Sequence, residues 1–160
     1  MIDYQRLFHT GIRVANLDAA MAEMGDTLGV TWATVQSNDA QEVWTPERGL
    51  DAVKLSFVYS TEGPQHVELL QGQRGSVWDG SDDPGVHHVG IWVADVAAAT
   101  DHCLSHGWRL AAAGASPDDG FGAFTYVVPP SGPIVELVSD RVLPVFEQWW
   151  GGGRLGGERE

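Results

Sequence analysis

Two histidines and two glutamates stand out because their surroundings repeat. His9 begins the stretch HTGIRVANLDAA and His88 begins HVGIWVADVAAA, an offset of 79 with seven of twelve positions identical. Glu68 lies in Val67-Glu68-Leu69 and Glu136 in Val135-Glu136-Leu137, a second matched block in the same order. Two copies of one unit, packed about a pseudo-twofold axis, would bring all four side chains to one point. Two imidazoles and two carboxylates suit Zn²⁺, Ni²⁺, Co²⁺, Mn²⁺ or Fe²⁺ and leave positions open for water.

Neighbouring histidines compete for this role. His87 precedes His88, but strand alternation turns it to the other face, and the repeat register matches His88 to His9. His66 shares a face with Glu68 and could line a pocket there. His102 and His106 are four apart on a helix, a metal-competent spacing with no third ligand, and read as solvated positions.

The elements that must position these residues follow from periodicity. Leu7 to Ala15 alternates and is β-rich, so it reads as a strand. Asn16 or Asp18 then caps a helix to about Leu28, ended by Gly29. Segments 30–36, 51–59 and 65–71 read as three further strands. The second unit gives a strand at 86–94, a helix at 95–106 closed by Gly107, and strands at 108–113, 122–128 and 133–138. The fold class is therefore α+β: two tandem βαβββ modules, 5–71 and 85–139, forming a cup-shaped mixed sheet around a metal site. Residues 1–140 make one domain, 72–85 a Gly/Asp/Ser-rich connector, and 141–160 a short C-terminal helix with a flexible Gly-rich tail.

Composition narrows the partners. The chain has 160 residues, 43% of them hydrophobic and 19% charged, enough to bury a core and too apolar for a disordered chain. Nine basic residues against 22 acidic ones give a net charge of −13. That leaves no basic footprint for nucleic acid and disfavours an anionic membrane surface. No apolar run approaches the ~20 residues of a membrane span, and the N-terminus lacks the pattern of a signal peptide. The single cysteine, Cys103, excludes an intrachain disulfide and reads as a buried small hydrophobe. A cytoplasmic location is expected.

The stretches HTGIRVANLDAA, HVELLQG, HHVGIWVADVAAA and PIVELV, in paired βαβββ units with the order His/Glu/His/Glu, resemble the vicinal oxygen chelate superfamily. That superfamily includes glyoxalase I, methylmalonyl-CoA epimerase, extradiol dioxygenases and bleomycin-resistance proteins. PERGLDAVKLSFV, followed by HVELLQG and GVHHVGIWVADV, looks nearest to the epimerase. The resemblance implies a divalent metal on His9, Glu68, His88 and Glu136. It also implies an isomerase or epimerase acting by proton transfer next to a chelated carbonyl. Glu136 or Glu68 is the first candidate base on that likeness. Glu42 lies near the epimerase's second-base region, with Glu47 as the alternative. A glyoxalase-type lyase, a dioxygenase or a non-enzymatic small-molecule binder of the same fold stays open.

The expected partner is a small carbonyl compound, an acyl-CoA or a bulky apolar metabolite. Trp92 is expected to face the metal cup near Arg13, with His66, Trp78, Phe121 and Phe124 as further wall. The resemblance implies a homodimer, and Trp149 and Trp150, an apolar pair near the end of the chain, point the same way.

Overall fold

The computed structural model describes residues 2–155. The eight strands are β1 (Leu7–Arg13), β2 (Gln36–Thr45), β3 (Gly49–Tyr59), β4 (His66–Gly72), β5 (Gly85–Val93), β6 (Arg109–Ala113), β7 (Phe124–Val128) and β8 (Ile134–Ser139). The three α-helices are α1 (Leu17–Leu28), α2 (Val96–Ser105) and α3 (Leu143–Trp150). The strands run β1-β4-β3-β2-β6-β7-β8-β5 around a closed barrel. β1 and β5 form the central antiparallel pair, and each is flanked by a parallel partner, β4 or β8. Closure depends on one pairing, Trp44 with Ala113. The shape is a mixed sheet curled into a cup, as the repeat predicted.

Local chemistry explains the helix boundaries. The Asn16 side chain accepts from Ala19 N–H and Asp95 accepts from Ala98 N–H, so both modules start their helix with the same side-chain cap. Gly29 ends α1 in the left-handed conformation, φ 73°, which glycine adopts without a Cβ penalty. Both helices lie outside the barrel. Leu17 of α1 packs on Val58 and Leu69, and Val96, Ala99 and Cys103 of α2 pack on Val127 and Leu137. Every described helix is too short or too polar to cross a membrane.

One expected element moves. The strand predicted over 30–36 is largely irregular, with one isolated bridge between Trp32 and Ser60. The second strand instead runs over 36–45, where the sequence QSNDAQEVWT is too polar to announce itself. Only Val43 on it is fully buried, so the apolar alternation that marks a half-buried strand is absent.

The connector and the C-terminal segment close the barrel ends. Asp79 accepts from Gly75 N–H and from Ser81, which folds the connector so that Trp78 is buried in the interior. At the other end α3 packs Phe146 and Trp149 against Phe8, Tyr59 and Trp92. Leu155 joins that cluster. The part of the expected tail from residue 156 onward lies outside the described residues.

Candidate metal centre

The four sequence-selected residues meet inside the barrel. His9 Nε2 and His88 Nε2 face each other at 2.8 Å. Glu68 Oε2 lies 3.3 and 3.2 Å from those two nitrogens, and Glu136 Oε2 lies 3.1 and 3.3 Å from them. All four residues are buried. Ligand atoms of His9, His88 and Glu136 are mutually within 4.8 Å. Glu68 stands outside that common set although it touches both imidazoles, so the two carboxylates approach the imidazole pair from opposite sides.

The backbone register builds this arrangement twice. Across the β1–β5 pair, His9 stands opposite Gly90 and Gly11 opposite His88. In the parallel pairs, Gly11 is level with Glu68 and Gly90 with Glu136. Each imidazole therefore lies over the glycine of the other module, beside a carboxylate from the next strand. β-Bulges sit at matched places too. The β1–β5 register slips at Phe8 and again at His87, each residue preceding a site histidine. A bulge puts two residues against one partner, which is why His87 turns inward rather than away. His87 Nδ1 lies 2.9 Å from His88 Nδ1, and the His87 ring packs edge-on to Tyr126.

Charge balance favours a cation. Two buried carboxylates carry −2, and burying charge without a partner is expensive. Burial opposes protonation of His88, but Glu136 and Glu68 outweigh it and hold its pKa up at about 9. His9 is raised on the same balance. Burial works to raise the pKa of Glu136 and Glu68, yet the two histidines hold both carboxyls below their ordinary value. Without a metal the imidazoles thus take the positive charge. Glu68 Oε2 still has no hydrogen-bond partner, so it is aimed at the centre without being satisfied by it. Ligands ~2.0–2.2 Å from one ion lie roughly 3 Å from adjacent ligands, and the five distances of 2.8–3.3 Å agree, while Glu68 and Glu136, too far apart to share the common set, would have to draw in toward the ion. The donor set fits a divalent cation.

Two tyrosines, which sequence reasoning missed, stand behind the carboxylates. Tyr59 pairs across strands with Glu68, and Tyr126 with Glu136. Burial, then the nearby carboxylates, push both phenols well above their usual pKa, so they stay neutral donors. Trp78 Nε1–H donates to the Tyr126 hydroxyl oxygen at 2.9 Å, leaving the phenolic proton free for Glu136. The signal was present in the sequence as Phe57-Val58-Tyr59 and Phe124-Thr125-Tyr126, a third matched block.

These residues border a cavity of ≈ 240 Å³. Phe57, Leu70, Phe124 and Val138 wall it in matched pairs, and Trp78, Phe146 and Leu155 add to the wall.

The model of the glyoxalase/bleomycin resistance protein/dioxygenase superfamily matches residues 8–126. The chain belongs to this superfamily. The match spans His9, Glu68 and His88 and ends before Glu136. No curated protein matches the chain by sequence. Among solved structures, methylmalonyl-CoA epimerase from Mycobacterium tuberculosis is similar at 22% identity and TM-score 0.59, over 87% of this chain and 92% of that one. A variant of the Streptomyces coelicolor methylmalonyl-CoA epimerase, in complex with 2-nitronate-propionyl-CoA, is 24% identical with TM-score 0.58, over 84% of this chain and 93% of that one. Likeness at these identities is likeness of fold.

Within this superfamily cup, the remaining expected residues divide. Phe124 walls the cavity as expected. Trp92 does not: it stacks on Phe8 at 3.7 Å, at the α3 end. Arg13 is at the opposite end of the antiparallel β1–β5 pair, bound to Asp83 at 3.0 Å, so it is not Trp92's neighbour. His66 does face inward, but its ring stacks under Trp150 at 3.8 Å and its Nδ1–H donates to Ser60 O at 2.7 Å. It fills the α3 end rather than lining the cavity. Phe121 packs outside the barrel with α2.

Glu42 is exposed and does not line the cavity, while its neighbour Gln41 does; Glu42 lines an adjoining surface groove that shares Gln41, Ala123 and Phe124 with the cavity. The register of β2 on β3 slips between Asn38 and Gln41, which inverts the inward face there. Glu47 lies in a separate surface groove. Trp149 is fully buried, with Nε1–H donated to Thr34 O at 2.8 Å, and Trp150 covers His66. The pair covers the α3 end of the barrel, so Trp149 is not an exposed apolar residue.

Proposed function

We propose that the chain is a metal-dependent isomerase or epimerase that moves a proton next to the carbonyl of a small substrate. The observation that carries this reading is the pair of buried carboxylates, Glu68 and Glu136, on opposite sides of the His9–His88 pair at the wall of one cavity. A divalent ion held by His9, Glu68, His88 and Glu136 would supply Lewis-acid polarisation of the carbonyl.

The chain's own residues do the rest. Glu136 is the leading base: ionised, buried and beside the cavity, it accepts the proton from the carbon next to the carbonyl. Tyr126, a neutral donor at its cross-strand partner, steadies that carboxylate. Epimerisation needs a proton from the other face. Glu68 with Tyr59 is the matched group there, and it replaces Glu42 in that role. The mostly apolar wall lowers the local polarity around the two carboxylates, which strengthens these interactions. A homodimer follows from the family resemblance alone.

The test is solvent-deuterium exchange into a 2-methyl-3-oxo acid or its thioester, with metal analysis of the purified protein. Exchange that depends on the metal supports the reading. Stoichiometric metal with no exchange by any carbonyl substrate rejects it. That result would favour a binding protein of the same fold, for which the apolar cavity wall already speaks.

A further inference from the structure

We infer that the ligand of this site is a compact carbonyl compound with an aromatic or branched apolar body, not an acyl-CoA held by its phosphates. The inference rests on the proposed metal site as the anchor of the ligand's oxygens and concerns what the rest of the cavity accepts.

The size of the cavity is the first ground. At ≈ 240 Å³ it falls below the roughly 300–1,000 Å³ of sites for drug-sized ligands. Its wall includes Trp78 of the connector and Phe146 and Leu155 of the C-terminal segment, and it shares Gln41, Ala123 and Phe124 with an adjoining surface groove. A nucleotide tail would therefore have to lie outside the barrel.

Chemistry is the second ground. Apart from Glu68, Glu136 and Gln41, the wall is aliphatic or aromatic, and among the described residues no cation lines it. Phosphates are recognised by cationic donors. Of the basic residues, Arg6, Arg13, Arg48, Lys54 and Arg74 are paired with Asp140, Asp83, Asp51, Asp39 and Asp82. Of the remaining described basic residues, Arg109, Arg141 and Arg154 are exposed, and only Arg141 and Arg154 adjoin wall residues, Val142 and Leu155, in sequence, so they are the described cations nearest to a phosphate-bearing ligand. The net charge of −13 repels a polyanion besides.

The aromatic wall is the positive side of the case. Phe57 and Phe124 are repeat-matched and face the same space from opposite modules. Together with Trp78 they make a slot for a flat or branched apolar group.

Two probe pairs test this on the metal-loaded protein, read by tryptophan fluorescence or calorimetry. Benzohydroxamate and acetohydroxamate present the same pair of oxygens and differ in the ring. Benzohydroxamate is expected to bind about 10- to 100-fold tighter, the scale of burying one such ring. Phe57→Ala with Phe124→Ala should erase most of that ratio while acetohydroxamate still binds. Equal binding of the two, or binding of neither, overturns the inference.

Methylmalonyl-CoA and its N-acetylcysteamine thioester share the acyl group and differ in the nucleotide. Their affinities are expected to agree within a few-fold. A CoA ester that binds ten-fold tighter or more, and loses that advantage in Arg141→Ala with Arg154→Ala, overturns the inference and leaves the isomerase reading standing. The expected hydroxamate ratio without proton exchange on any carbonyl compound would do the opposite.

Discussion

Gly90 lies opposite His9 so closely that a β-carbon built on it would fall 1.9 Å from the His9 ring. Gly11 stands in the same relation to His88, at 2.1 Å. The missing side chains are what allow the imidazoles to lie over the β1–β5 pair with Nε2 toward the centre. Gly90→Ala and Gly11→Ala should each displace one imidazole and lower metal affinity by about 10- to 100-fold, the range seen when ligand orientation is lost. A competitive chelator titration measures it. Wild-type affinity in both variants would mean that the imidazoles do not hold the ion in this pose.

His88 and His87 should separate cleanly. With Nε2 on the metal, His88 carries its proton on Nδ1 and donates it to His87 Nδ1 at 2.9 Å. His88→Ala should abolish stoichiometric metal. His87→Ala should keep one ion per chain but weaken it by about 10- to 100-fold, as a lost orienting partner does. Elemental analysis after dialysis at graded chelator distinguishes the two. Loss of stoichiometry in His87→Ala alone would make His87 the ligand.

Glu136→Gln should retain the ion, since an amide oxygen can still coordinate, and should lose about 10²- to 10⁴-fold in proton exchange, the usual weight of a general base. Glu68→Gln should suppress epimerisation more than one-sided exchange. Glu42→Gln should change neither, because Glu42 is exposed and outside the cavity. A specific loss of epimerisation in Glu42→Gln would restore it as the second base.

Metal uptake should depend on pH with a definite sign. Metal-free His88 holds its proton up to a pKa of about 9, and an imidazole must shed that proton to bind an ion. Affinity should therefore rise as pH rises towards 9, with protons released on binding. Calorimetry in two buffers of different ionisation enthalpy measures the release. In metal-free protein, pairing with the carboxylates raises the folded-state pKa of His88 above its unfolded value near 6.5. Its contribution to stability is complete below pH ~6.5 and fades as pH climbs through about 9. Thermal melts of the metal-free form that are flat over that interval would contradict the charged pair.

Trp149 should prove structural. It is fully buried and hydrogen-bonded to Thr34 O, so Trp149→Ala should cost about 3–5 kcal/mol of stability. Denaturant unfolding measures the loss. A change in oligomeric state by light scattering, with stability intact, would return Trp149 to an interface.

The sequence by itself determined the repeat, the two modules, the place of each module's helix and the four residues that meet at the centre. Those features are local or periodic, and an offset of 79 between His9 and His88 is legible without coordinates. Only the tertiary structure decided which way several neighbours face. Side-chain direction in a strand follows a period of two, and one bulged residue inverts it. The slip at His87 turns it inward to His88, and the slip before Gln41 turns Glu42 out of the cavity. The antiparallel β1–β5 pairing likewise sends Arg13 and Trp92 to opposite ends. A bulge depends on how two strands distant in the chain meet, so no pattern within either strand reveals it.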